Sequence, residues 1–267
     1  MTQLLFNAAF TVYLVGLSVS VISFVTRREV FYRLALGAVG LGFGLHTTFL
    51  VARWIERGQF PITDLPESLA FFAWTVSLCF LISYVRYRIK AFGLFLMPLV
   101  AALMLGTVFL KASPVPKLFE SYWIYLHAIC IFLAYAMLFI AFVAGFLYLM
   151  QEKELKSKKP ATFYRRLPSL LLLDDVFNKF LIGGFTLMTL GLLAGVVWAE
   201  QEWVSGWQRD PKVLSAIITW FIYLILIYFR LTAGWRGKRA ALLSMAGFVS
   251  ALFAYLGASF FGGLHSF

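Results

Sequence analysis

A short polar segment between two long apolar runs carries the densest group of residues able to hold a ligand. The candidates in it are three indoles and a charged cluster after the last of them: Trp198, Trp203, Trp207, Arg209, Asp210 and Lys212. Indole prefers the boundary between bilayer and water, so one or two tryptophans there would be ordinary interfacial residues. Three indoles beside charged side chains equally suit a shelf for a large flat ligand. The spacing alone leaves both interpretations open.

The chain has three histidines, His46, His127 and His265. Neutral imidazole is the commonest metal ligand among side chains and a usual axial ligand of haem iron. Each histidine also has a simpler interpretation. His46 lies inside an apolar run and could bond a neighbouring carbonyl or hydroxyl, whereas His127 could be an interfacial residue and His265 a residue of a disordered tail.

Composition places these residues in a membrane protein. Hydrophobic residues make up 62% of the 267 residues and charged residues 13%, compared with about 45–50% and 25% in soluble domains. Because about 20 apolar residues cross a bilayer, we predict an all-α polytopic membrane protein with eight transmembrane helices, in a single membrane domain over 1–267. The predicted spans are approximately Leu4–Val25, Leu34–Ala52, Ser68–Val85, Phe92–Leu110, Tyr122–Met150, Phe180–Trp198, Leu214–Phe229 and Ala240–Phe261.

The net charge of +11 follows the predicted topology and does not indicate nucleic-acid binding. With eight spans, linkers alternate between two sides, and one side holds only six of the 23 basic residues: Arg53, Arg57, Lys111, Lys117, Arg209 and Lys212. Cytoplasmic loops carry the Lys and Arg excess. We therefore expect the N and C termini and the Trp-rich outer loop, 198–212, to be extracytoplasmic. The basic surplus on the other side suits the anionic headgroups of the lipid bilayer.

Two helix starts carry local signals. Asp64 and Glu67 flank Pro66 just before an apolar run, a pattern typical of a helix N-terminus. Asp210 precedes Pro211, and we expect its side chain to fix the Trp-rich loop through backbone hydrogen bonds.

The two cysteines, Cys79 and Cys130, lie singly inside predicted spans. The sequence contains no C-x-x-C and no C-x-x-C-H, so it predicts neither a thiol-redox protein nor a c-type cytochrome. We interpret both cysteines as small apolar packing residues.

Carboxylates on the predicted outer face are few and scattered, which disfavours an enzyme of the general acid–base type and suggests no catalytic residue.

The Trp-rich loop resembles the tryptophan-rich WWD signature of haem-handling proteins of cytochrome c biogenesis, specifically the CcsA (ResC) branch. The matching residues are Trp198, Ala199, Trp203, Trp207, Asp210, Pro211 and Lys212. The chain departs from the signature at Val204, Gly206, Arg209 and Val213. The signature is therefore recognisable but incomplete.

Other segments extend this resemblance over about residues 45–267. The predicted loop and helix start over 53–74 have the form R-W-x3-G-x2-P-x5-E-S-L-x-F-x2-W, which is similar to a familiar loop of the family. His127 lies four residues after Trp123 and eight before Tyr135, as in the family helix that carries an external haem ligand.

The C-terminal part of the chain matches the family at one position and departs at another. His265 stands in a terminal G-L-H-S, where the family has its second external haem ligand. Tyr228 stands two residues before Arg230, where the family has a histidine near the cytoplasmic end of helix seven. This departure is the largest in the chain and bears on whether haem passes through the membrane.

The resemblance implies a membrane protein that binds haem b transiently and presents it at the outer face for attachment to apocytochrome c. His127 and His265 would ligate the iron axially, and the cations of the loop, or Arg53, would pair with the propionates. The implied cofactor-binding residues are His127, His265, Trp198, Trp203, Trp207, Arg209, Asp210 and Lys212. His46 and Tyr228 are further candidates inside the membrane.

The resemblance also implies a location and partners. The expected location is the bacterial inner (cytoplasmic) membrane, and the expected partners are a CcsB/ResB-like membrane protein and apocytochrome c. An enzymatic role, if present, would be that of a subunit of a haem–apocytochrome c ligation complex. The alternative is a HemX-like protein of the same fold that regulates tetrapyrrole synthesis without transferring haem. The short chain, the incomplete WWD signature and Tyr228 favour this alternative.

The predicted topology is testable by labelling single cysteines in intact cells. Because the basic residues lie mostly on the other side, we expect a membrane-impermeant thiol reagent to modify a Ser205→Cys variant and to spare a Ser157→Cys variant. Modification of position 157 but not of position 205 would contradict the topology.

Overall fold

The computed structural model describes residues 1–110, 121–157, 167–202 and 206–257, and within these ranges it contains helices and no strand. The helices are α1 (Thr2–Thr26), α2 (Glu29–Arg57), α3 (Leu65–Tyr87), α4 (Ala91–Phe109), α5 (Tyr122–Lys156), α6 (Leu170–Glu202), α7 (Pro211–Thr232) and α8 (Lys238–Leu252). A 3₁₀ turn, Trp207–Arg209, precedes α7, and a π-helical turn, Phe253–Gly257, follows α8. Eight helices in the described ranges are long and apolar enough to cross a membrane. The predicted all-α architecture of an integral membrane protein with eight spans is therefore confirmed.

Helix α6 begins about ten residues before the apolar run that predicted it, at Leu170 instead of Phe180. The added turns carry polar side chains that contact α7. Arg230 donates to the Asp174 carboxylate at 2.9 Å and to the Asn178 side-chain oxygen at 2.6 Å. These partners stabilise helical turns that hydropathy alone places outside the span.

Helix α6 also ends later than predicted, at Glu202. Trp198 is therefore a helical residue, and the connection to α7 is shorter than the predicted loop of 198–212. The sequence after Trp198 is Ala-Glu-Gln-Glu, and these three residue types are strong helix formers, which accounts for the extension.

The first compact unit, Met1–Phe119, contains α1 to α4. Helix α3 forms its centre. Of an apolar 18-residue segment of α3, 72% is buried, compared with 28–39% of the corresponding segments of the other three helices. Helices α1 and α2 approach closely at glycines. A Cβ on Gly16 would lie 2.8 Å from the Val39 side chain, and one on Gly42 would lie 2.9 Å from the Tyr13 ring. Such small residues permit tight helix packing in lipid.

The connection between α2 and α3 is fixed by a buried carboxylate, Glu67. It accepts hydrogen bonds from Arg57 at 2.7 Å and Arg53 at 3.3 Å, and from the Thr63 hydroxyl at 2.7 Å. Asp64 caps α3 by accepting from the Glu67 amide at 2.8 Å, which confirms the helix start predicted there. Because a buried charge is tolerated only when paired, these contacts set the geometry of the connection. Arg53, expected as a partner for a haem propionate, is instead paired with Glu67.

The second compact unit, Glu120–Phe267, contains α5 to α8. Helix α5 forms its centre. Of an apolar 18-residue segment of α5, 67% is buried, compared with 22–44% of the corresponding segments of α6, α7 and α8. Glycines again mark the close approaches: Gly184 of α6 lies against Leu138 of α5, and Gly145 of α5 lies against Ala241 of α8. The grouping of all eight helices into one membrane domain stays a prediction.

The Glu67 contacts predict a stability effect. We expect Glu67→Ala to lower the free energy of unfolding by about 3 kcal/mol, because two partly buried guanidinium groups lose the buried carboxylate that they share. Arg57 keeps Asp64 at 3.3 Å, so the loss is not larger. Glu56→Ala is the matched control, since Glu56 pairs with Arg53 at 3.8 Å but is 44% exposed, and its loss should cost at most about 1 kcal/mol. Denaturant titration in detergent, followed by tryptophan fluorescence, measures both variants. Equal losses would contradict the role assigned to Glu67.

Candidate functional site

His127 lies in the second turn of α5, on the side that packs against α6. Its Nδ1 is 2.8 Å from the carbonyl oxygen of Gly191. A carbonyl oxygen only accepts hydrogen bonds, so Nδ1 must carry the proton, and in the neutral imidazole Nε2 then keeps its lone pair. Within the described chain no residue hydrogen-bonds to Nε2. Metal-ligating histidines commonly show this arrangement, with one ring nitrogen held by a carbonyl and the other offered to the metal.

The imidazole packs directly against the backbone of α6 at Gly195, one turn beyond Gly191, because glycine has no side chain there. A Cβ added to Gly195 would lie 2.5 Å from Nδ1 and 2.9 Å from Cε1 of His127. Neither glycine was predicted as part of the site. The signal available in the sequence was their spacing of four residues, which places both on one face of α6.

Trp198 and Trp207 are enclosed by the protein, with 5% and 8% of their surface exposed. Trp198 follows Gly195 on α6, and Trp207 begins the 3₁₀ turn. Both indoles are therefore packed inside the protein. Their part in ligand binding stays a prediction. Trp203 lies outside the described residues.

Asp210 fixes the start of α7, as expected from its position before Pro211. Its Oδ1 accepts from the backbone amides of Lys212 at 2.9 Å and Val213 at 3.4 Å. Pro211 occupies the first helical position, where its missing amide proton costs nothing. The carboxylate is only 4% exposed, so it serves this cap and does not face solvent.

Two cations accompany this cap. Lys212, in the first turn of α7, is half-buried. Arg209, at the end of the 3₁₀ turn, is exposed. The structure thus brings His127, the end of α6 and the start of α7 together at one end of the second unit.

His265 lies outside the described residues, but the chain that leads to it is placed up to Gly257. The ring of Tyr255, in the π-helical turn after α8, packs edge-on against Phe132, with ring centroids 5.6 Å apart. Phe132 is five residues beyond His127 on α5. The last described turn of the chain therefore lies against the half of α5 that carries His127.

His46 is fully buried in the first unit. Its Nδ1 is 3.4 Å from the Tyr13 hydroxyl, which matches the simpler interpretation of a neutral imidazole with a local partner. Its Nε2 has no hydrogen-bond partner among the described residues. The rings of Tyr13 and Phe49 lie against the imidazole.

Tyr228, the other candidate inside the membrane, lies on the surface of its unit. Its side chain is 58% exposed, and its ring contacts Phe229 edge-on. Arg230, two residues later on α7, points instead toward Asp174 and Asn178. The described residues of the second unit therefore do not enclose the Tyr228 side chain.

Comparison with known families assigns the chain. A family model described as "Cytochrome C assembly protein" matches residues 62–265. The chain belongs to the cytochrome c assembly family. Among relatives, a CcsA protein of Guillardia theta is 33% identical, covering 98% of this chain and 96% of its own length. A CcsA protein of Gloeobacter violaceus is 29% identical, covering 99% and 95%.

A solved structure of the "Cytochrome c Heme Lyase CcmF" has the same fold as this family member. The TM-score is 0.67 over 97% of this chain, at 14% sequence identity. This chain spans 50% of that larger chain, and the likeness concerns the fold alone. Together with the relatives above, these findings make the chain a CcsA-type membrane protein of cytochrome c maturation, and they lend no support to the HemX-like alternative.

The cap at Asp210 predicts a local stability effect in this family member. We expect Asp210→Ala to destabilise the first turn of α7 by about 1 kcal/mol, because two backbone amides lose their acceptor. Hydrogen exchange of the Lys212 and Val213 amides should accelerate about fivefold, the equivalent of that energy. Asp175→Ala is the control, since Asp175 pairs with Lys179 on an exposed helix face. Unchanged exchange in Asp210→Ala would contradict the cap.

Proposed function

We propose that this protein binds haem at the extracytoplasmic end of its second unit and presents it for attachment to apocytochrome c. The observation that carries the proposal is the His127 imidazole, whose Nδ1 is held by the Gly191 carbonyl at 2.8 Å. Nε2 is left as a neutral donor of the kind that ligates haem iron axially. In a CcsA-type chain, a histidine prepared in this way near the start of α5 is best explained as a haem ligand.

The donor set around His127 fits a haem group. Its hydrogen bond to a backbone carbonyl fixes the ring orientation and raises the basicity of the ligating nitrogen. His265 would supply the second axial imidazole. Support for this pairing comes from Tyr255, which contacts Phe132 on the same half of α5 and lies ten residues before His265.

Charged and aromatic residues near His127 suit the rest of the macrocycle. Lys212 and Arg209 would pair with the propionates, since cations bond strongly to carboxylates. Asp210 holds the start of α7 in place for them. We propose that Trp203 contacts the porphyrin face, while the buried Trp198 and Trp207 stabilise the connection between α6 and α7.

In this role haem b is cargo that leaves the protein. Bound haem supplies the iron that the imidazoles ligate and the side groups to which cysteines become attached. The described cysteines of this chain, Cys79 and Cys130, are free and buried, so the reacting thiols belong to an apocytochrome with a C-x-x-C-H sequence. A CcsB/ResB-like membrane protein would complete the assembly in the bacterial inner membrane. This chain would then act as a subunit of a haem ligation complex.

Haem binding is testable on the purified full-length protein. We expect wild type to show the absorption spectrum of low-spin, bis-histidine haem. His127→Gly should lose the low-spin band, and added imidazole should restore it, because free imidazole fills the gap left by the side chain. His46→Gln is the control, since His46 lies in the other unit and keeps a polar side chain in this variant.

Two results would overturn the proposal. One is wild-type protein that binds no haem during purification or on titration with haem. The other is a low-spin band that survives in His127→Gly and disappears in His46→Gln, which would place the ligand in the first unit. Covalent haem on a co-expressed apocytochrome c, measured by haem staining of a denaturing gel, should also depend on His127.

A further inference from the structure

We propose that Gly191 and Gly195 of α6 are positioning residues that select the Nε2 atom of His127 as the haem ligand and fix its direction. The inference rests on the proposed function and goes beyond it by assigning a role to residues that do not touch haem. Gly191 acts through its carbonyl oxygen, and Gly195 acts through the absence of a side chain.

The Gly191 carbonyl determines the protonation pattern of the imidazole. In an α-helix this oxygen already accepts from the amide four residues later, which is that of Gly195. A carbonyl oxygen has a second lone pair, and His127 Nδ1 donates to it at 2.8 Å. Because the proton is held on Nδ1, the lone pair of the neutral ring stays on Nε2. The imidazole can then offer only one nitrogen to a metal.

Gly195 makes that hydrogen bond sterically accessible. A Cβ at this position would lie 2.5 Å from Nδ1, 2.9 Å from Cε1 and 3.4 Å from Cγ of His127. Nδ1 and Cε1 would lie too close, and the ring must move as a rigid unit because it cannot bend. Alanine at position 195 must push the imidazole off the Gly191 carbonyl and turn Nε2 away from its direction.

Ordinary helix packing alone does not explain this contact. Along the same pair of helices, Gly184 lies against Leu138 and Gly191 lies against Ile131, so small residues bring α6 close to α5 throughout. Those partners are apolar and make no directed bond. At Gly195 the partner is a polar ring bonded to the helix backbone, and its second nitrogen remains available. The row of α6 glycines that packs against α5 therefore ends at His127, a residue whose ring needs a defined orientation.

The first test measures the imidazole without haem. A His46→Gln, His265→Gln background leaves His127 as the single histidine, so ¹⁵N- and ¹³C-labelled histidine reports on it alone. Solid-state NMR in lipid should show the protonated nitrogen bonded to Cγ, which identifies Nδ1. In the same background Gly195→Ala should replace this pattern by a mixture of both tautomers. Gly183→Ala is the matched control, because its Cβ would meet only the flexible end of Met137.

The second test measures haem binding with His46 and His265 intact. Loss of an interaction that orients a metal-bound histidine typically costs 10–100-fold in affinity, so Gly195→Ala should weaken haem binding by about 10-fold or more. Its haem should also shift from low-spin toward high-spin absorption. Gly183→Ala should bind haem as wild type does. A haem-free measurement of helix content by circular dichroism checks that both variants fold.

The outcomes separate this inference from the proposed function. Wild-type protein that binds haem, together with a Gly195→Ala variant of unchanged tautomer and unchanged spectrum, would overturn the positioning role alone. An Nε2-protonated ring in the single-histidine protein would also overturn it. Failure of wild type to bind haem would overturn the haem proposal and this inference with it. Equal loss of affinity in Gly183→Ala would reduce the role of Gly195 to helix packing and overturn the inference.

Discussion

The candidate site depends on one hydrogen bond, from the His127 imidazole to the Gly191 carbonyl. This bond joins α5 to α6 and decides which ring nitrogen remains available. It requires the two helices to be nearly in backbone contact, which their shared glycines permit. Packing and chemistry are therefore coupled here, because the close approach that stabilises the helix pair also orients the ligand.

Buried polar groups elsewhere in the protein also need partners. A charged or polar side chain that is removed from water must find its partners within the protein. Glu67 does so with two arginines and a threonine, and Arg230 does so with Asp174 and Asn178. His46 is the contrast, since only its Nδ1 has a neighbour within hydrogen-bonding distance among the described residues. Intramembrane polar groups that break this rule are natural places to look for function.

The fold of this family is retained where its local chemistry changes. The backbone architecture is shared with a haem lyase structure at 14% identity, while CcsA relatives near 30% identity align over almost the whole chain. Tyr228 shows how far local chemistry can change within this fold. An aromatic residue, exposed on the surface of its unit, stands where the resemblance predicts a histidine. Function in this family therefore has to be argued from individual residues.

The sequence by itself determined the eight helices, the membrane location and two helix starts. Span length and the caps at Asp64 and Asp210 are local properties, because hydrophobic run length and side-chain-to-amide bonds involve residues close in the chain. Only the tertiary structure decided that His127 meets Gly191, that Trp198 and Trp207 are buried, and that Arg53 pairs with Glu67. These contacts depend on which faces of the helices meet. In lipid both faces of a helix are apolar, so the hydrophobic pattern along the chain carries little information about the buried side.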